Sequence, residues 1–182
     1  MKRGFGKKKN TTEILYNLNS YEDIFSDFDP RPSSQRSISE DFIAEAKKVI
    51  MDHERSDGIT LQILLPKKSR RIKEEETIIK RLQNHFSTHH YILKERLRSA
   101  FKEGGAYTTL GVVFMLMAAY IVHTTQVERF LLTFLIIILE PAGWFLFWEG
   151  LYIIIFDRRK QQPDIAFYEK LARSKIVFSS KK

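Results

Sequence analysis

The chain is 182 residues long, which leaves room for one modest domain plus membrane segments and excludes a large enzyme core. Lys and Arg number 30 against 22 Asp and Glu, and the net charge of +8 calls for an anionic partner, nucleic acid or lipid. Cysteine is absent, which excludes disulfides, thiolate metal sites and a cysteine nucleophile.

The N-terminus is basic, with Lys7, Lys8 and Lys9 in its cluster, but Thr11 to Asp29 is polar and acidic and offers no apolar stretch for a cleavable signal. Residues 1–36 read as a disordered basic and polar tail, because Ile14, Leu15, Leu18, Ile24, Phe25 and Phe28 follow no sustained period and Pro30 and Pro32 hold the end extended. The lysine cluster is a candidate for anionic lipid headgroups, at about 1 kcal/mol per residue near a surface, or is simply a solvated terminus.

Ser37 to Glu40 fits a capping box and predicts a helix to about Glu54, with Phe42, Ile43, Ala46, Val49 and Ile50 on one stripe. Residues 59–65 alternate apolar and polar and stop at Pro66, which predicts a strand. A lone strand leaves its backbone unpaired, so it needs a partner from the tail or from another copy of the chain. After the basic turn Lys67 to Arg71, a long stalk helix starts near Ile72, with acids in its first turn. Its apolar stripe through Leu82, Phe86, Leu93 and Leu97 is close to a heptad, so it packs on the head or self-associates as a coiled coil. The basic turn suits phosphates or nucleic acid in the abstract, and with apolar spans nearby lipid headgroups are the better partner.

Gly104-Gly105 is a hinge candidate. Residues 107–124 and 130–150 predict two membrane spans, and the few residues between them force a hairpin. Lys94, Arg96, Arg98 and Lys102 precede the first span and Arg158, Arg159 and Lys160 follow the second, so the positive-inside rule places both ends in the cytoplasm. Residues 157–182 read as an amphipathic tail: a short helix starts at Pro163-Asp164, and Ile176 to Phe178 either pairs with the strand or lies on lipid.

These pieces resemble an uncharacterised family of small bacterial membrane proteins. The resemblance rests on FDPRPSSQRSISEDFIAEAKK, the ITLQILLP strand, the helix running through LKERLRSAFKEGG, and LEPAGWFLFWEGLYIIIFDRRK leading to FYEKLAR, with Gly143-Trp144, Trp148 and Asp157 its firmest points. It implies a two-helix hairpin with a cytosolic head. It implies no activity.

The run Phe130 to Phe156 is 27 residues, about 40 Å as one helix, against a hydrocarbon core of about 30 Å. Pro141 and Gly143 predict a kink that absorbs the excess. Trp144, Trp148 and Tyr152 recur every four residues and read as interfacial anchors, while Glu140 falls near the midplane at a cost of about 2.5–3.5 kcal/mol on insertion scales. Glu140 is then a neutral hydrogen-bonded side chain, or it faces a wet crevice or another subunit as an ion or proton site. His85 and His89 have the i, i+4 spacing of a metal face, but no third ligand accompanies them. No catalytic constellation, resident metal or cofactor is expected.

The sequence therefore predicts an α-helical membrane protein: a two-helix transmembrane hairpin at residues 105–156, and a long stalk helix and small α/β cytosolic head at 37–104. It is expected in the bacterial inner membrane as a homo-oligomeric interaction, scaffold or sensory module, bound to lipid and to an unidentified protein partner and not to nucleic acid. The rival expectation is a subunit of a small ion-conducting assembly with Glu140 facing its interior.

Overall fold

The structure is a computed structural model that describes residues 11–31, 35–51, 58–124 and 130–181. It is mostly helical, with a three-stranded sheet and two helices long and apolar enough to cross a membrane. The chain divides into two compact units: one runs to Tyr91 and resumes at Ile165, the other is Ile92–Asp164.

In the first unit, strands β1 (Thr11–Asn17), β2 (Gly58–Pro66) and β3 (Lys175–Lys181) form a parallel sheet in the order β1-β2-β3. The alternation in β2 is the reason it takes the centre. Ile59, Leu61, Ile63 and Leu65 are buried while Thr60, Gln62 and Leu64 are half-buried, the period-2 pattern of a strand with one covered face. Register places Ile14, Leu61 and Ile176 side by side, and Tyr16, Ile63 and Phe178 beside them. The other face is more open: Leu15 is 63% exposed, and Gln62 Nε2 donates to Ser179 Oγ at 2.8 Å.

Parallel strands need crossover connections, and the helices supply them. Helix α1 (Glu40–Met51) joins β1 to β2 and buries Phe42, Ala46 and Ile50. The β2–β3 crossover contains α2 (Ile72–Thr124), α3 (Phe130–Tyr152) and α4 (Arg158–Ala172). The core is completed by Ile78, Leu82 and Phe86 of α2 and by Phe167 and Leu171 of α4.

Two expectations are corrected here, the disordered tail and the Ser37 cap, and one choice is resolved. The residues read as a disordered tail enter the head from Thr11 to Arg31: Ile14, Leu18, Ile24 and Phe25 are core residues, and a short 3-10 turn at Tyr21–Ile24 is capped by Ser20. The cluster Lys7, Lys8, Lys9 lies outside the described residues. Of the partners offered for the central strand, the N-terminal segment and residues 176–178 both pair with it, so it gives no reason for a second copy. Ser37 is not a helix cap: it lies in the strap where Phe25 and Ile38 form an antiparallel bridge, its N–H donating to Asp29 Oδ2 at 2.8 Å, and α1 begins at Glu40.

In the second unit α2 and α3 lie antiparallel, Gly104 beside Gly150 and Gly111 beside Gly143. Helix α2 passes through Gly104-Gly105 without a break, so the proposed hinge is helix. Likewise α3 runs through Pro141. A π-helical turn at Ile153–Asp157 leads directly into α4, so the amphipathic helix starts at Arg158 and carries Pro163 inside it.

Candidate functional site

The glycines set how closely the two apolar helices approach. Inside lipid, helix pairs depend on close backbone approach, which small residues permit. Four glycines, two on each helix and seven residues apart along it, do this here: a Cβ on Gly150 would meet Gly104 O at 2.4 Å, and one on Gly143 would meet Gly111 O at 2.9 Å. Leu139 and Ala118 are buried along the same seam. Gly143 is thus a packing residue, besides the kink expected of it. Thr108 and Thr109 return their hydroxyls to Gly104 O and Gly105 O, both at 2.8 Å, so they add no unsatisfied donor to the apolar segment.

Beside this seam runs a groove of about 830 Å³. Met115, Ala118 and Val122 of α2 form one wall and Ile136, Pro141 and Trp144 of α3 the other. Glu140 is exposed into it, and His123 lines its far end. Trp144, Trp148 and Tyr152 continue the face of Glu140 at four-residue steps and are 56%, 52% and 55% exposed. Trp144 and Trp148 meet edge to face with ring centroids 5.7 Å apart, and Tyr152 stacks on Phe156 at 4.6 Å. Arg158, Arg159 and Lys160 are exposed at the start of α4.

The head contains a second concavity, of about 630 Å³, reached by the ends of β1 and β2 and the start of α2. Two of its lining residues, Tyr21 and Arg71, belong to a polar network that extends behind them. Arg70 binds Glu75 in a fork, Nε to Oε1 and Nη2 to Oε2, both at 2.9 Å, and also donates to Phe178 O and Ser180 Oγ at 3.1 Å. The Tyr21 hydroxyl donates to Glu75 Oε1 at 2.9 Å and accepts from the Arg71 N–H at 2.9 Å. Arg70 holds the buried Glu75 carboxyl below the usual range, and burial pushes the Tyr21 phenol up. One network therefore ties the loop after β1, the turn after β2, the first turn of α2 and the end of β3. The cavity itself is faced by Lys68, Arg71, Lys73 and Arg81, by Glu22 and Glu74, and by the apolar surfaces of Phe25 and Ile78. The Arg81 guanidinium lies 4.6 Å from the centre of the Phe25 ring and donates to Arg36 O.

The histidines pack instead of converging on a ligand. His85 and His89 rings are 4.1 Å apart, His89 stacks on Tyr168 at 5.3 Å, and His89 Nδ1 is 3.1 Å from His85 O. Burial lowers the His85 imidazole to about 4, helped by its neighbour His89. Among the described residues no group of three or more His, Asp or Glu is placed to hold a metal ion.

No family model, curated protein or solved structure matches the chain. Sequence reasoning found Glu140 and the aromatic face but missed the head cavity. Its signal was present in the dense basic turn at Lys67 to Lys73. The other wall, Ser20 to Phe25, belongs to the segment read as a tail.

Proposed function

We propose that the chain is an integral membrane protein of the bacterial inner membrane, that α3 and the later part of α2 cross the bilayer as a hairpin, and that both ends lie in the cytoplasm. It serves as an interaction, scaffold or sensory module, not as an enzyme, and belongs with the two-helix bacterial proteins it resembles. The carrying observation is exposure. Outside the glycine seam the two helices leave Leu116, Tyr120, Phe130, Leu131, Ile137 and Phe145 each more than 60% exposed, an apolar surface that water does not tolerate and lipid does. The basic residues on either side of the pair supply the cytoplasmic flanks, with Arg158, Arg159 and Lys160 at the headgroups. Single cysteines test this in the cysteine-free chain. A cysteine replacing Gln126 should react with an impermeant thiol reagent in intact cells, and one replacing Lys175 only after lysis. The opposite pattern removes the topology.

The module is a homo-oligomer on this reading. Two of the three sequence arguments for association weaken, since β2 is paired and the Leu82–Phe86 stripe is buried in the head, but Glu140 on an open apolar groove still favours a second copy over it. The same position supports an ion-conducting assembly as a second reading. Liposome flux carried by the natural chain and lost in Glu140→Gln would favour it, and flux unchanged by that substitution removes Glu140 from any conduction path.

A further inference from the structure

From the geometry of the head we infer that its cavity is a binding site for a phosphate-bearing ligand, a property separate from membrane anchoring. Four cationic side chains converge on the cavity, and only two carboxylates join them. Both carboxylates are engaged: Glu74 pairs with Arg71 at 2.8 Å and Glu22 with Arg36. Lys68 and Lys73 have no carboxylate partner among the described residues, so the cavity presents uncompensated positive charge from two elements, the turn after β2 and the first turn of α2. Hydroxyl donors accompany them. Ser69 lines the rim, and Ser20 Oγ accepts from the Glu22 N–H at 3.3 Å, leaving its own proton free to donate.

The chemistry of this set is narrow. Lysine ammonium groups are compact point charges that suit phosphate oxygens, while a lone carboxylate would engage fewer of the donors. The cavity lies at the carboxyl end of a parallel sheet, where ligands of open α/β sheets bind. Phe25 and Ile78 give the floor an apolar patch for the non-phosphate part of the ligand. The Arg70–Glu75–Tyr21 network holds the backbone beside the cavity: Tyr21 OH accepts from the Arg71 N–H and Arg70 donates to Phe178 O of β3, which limits the ordering left to the backbone when an anion binds. A soluble phosphorylated metabolite and the phosphate of a lipid headgroup share this chemistry.

Full-length protein in neutral detergent, titrated with inorganic pyrophosphate by calorimetry, tests the site. Saturable binding is expected, weakened at least about tenfold in the double variant Lys68→Gln/Lys73→Gln. The charge-matched variant Lys67→Gln/Lys80→Gln, whose lysines lie outside the cavity, should bind as the natural chain does. Repeating the titration in micelles doped with anionic phosphatidylglycerol separates the sources: competition assigns the site to headgroups, and unchanged affinity assigns it to a soluble ligand. Absence of saturable binding, or equal loss in both double variants at unchanged circular dichroism, overturns the proposal.

Discussion

Gly111 lies so close to Phe147 that a Cβ on the glycine would stand 2.5 Å from the Phe147 backbone nitrogen. No side chain fits there without separating the helices. Gly111→Val should therefore destabilise the pair by about 1–3 kcal/mol or more, as overpacking does. Gly150→Val should do the same, since its Cβ would meet Thr108 Oγ1 at 2.3 Å. Gly105 has nothing within 4 Å of such a Cβ, so Gly105→Ala should be harmless or raise stability by about 0.5–1 kcal/mol through helix propensity. Thermal melting in detergent distinguishes the three, and equal effects at Gly105 and Gly111 would contradict the seam.

Arg70, half-buried, forks onto the buried Glu75, so removing the carboxylate leaves the guanidinium without its partner. Glu75→Gln should cost about 2 kcal/mol, read as lost hydrogen-exchange protection in β2 and β3. Because Arg70 depresses the folded-state value of Glu75, this contribution is complete above the ordinary carboxylate value of 4.5 and is withdrawn as pH falls through the lower folded value. A Glu75→Gln head that keeps the full acid sensitivity of the natural one would contradict this.

His85 titrates in the opposite environment. Its folded value of about 4 lies below the ordinary 6.5, so between those limits the unfolded chain binds the extra proton and stability declines as pH falls. His85→Phe should abolish that slope between pH 6.5 and 4. Urea midpoints across that interval measure it, and an unaltered slope in the variant excludes His85 as its source.

Phe86 is fully buried in the head, whereas the sequence allowed its stripe to be a self-association seam. Phe86→Ala should cost about 3–5 kcal/mol of head stability. If sedimentation shows dissociation with the head intact, the coiled coil is the better account.

The legible parts of this fold are those whose signal is local. Residues 59–63 alternate apolar and polar before Leu64, Leu65 and the stop at Pro66, Ile72 follows a basic turn and precedes three acids, and Phe130 onward is apolar for longer than a core helix needs. The parts that were not legible depend on distant partners. The tail and Ile176–Phe178 are legible only as possible partners of residues 59–65, and the choice between them, which falls on both, is made by the hydrogen bonds β2 offers to Thr11–Asn17 and Lys175–Lys181. Gly104 and Gly143 were visible, but each was read alone, as hinge and kink. Only the seven-residue interval shared with Gly111 and Gly150 identifies a contact, and that interval matters only once two helices are set antiparallel. The head cavity was hidden for the same reason, because one of its walls comes from before α1 and the other from after β2.

The position of β3 in the chain also governs the order of assembly. β2 is finished at Pro66, yet the strand that covers its second edge begins at Lys175. A ribosome must release both long apolar helices before that edge can be closed. Until then β1, α1 and β2 form an incomplete sheet that Arg70 cannot yet clamp to Phe178. Both apolar helices thus leave the ribosome before β3 does, and the head completes its sheet only after them.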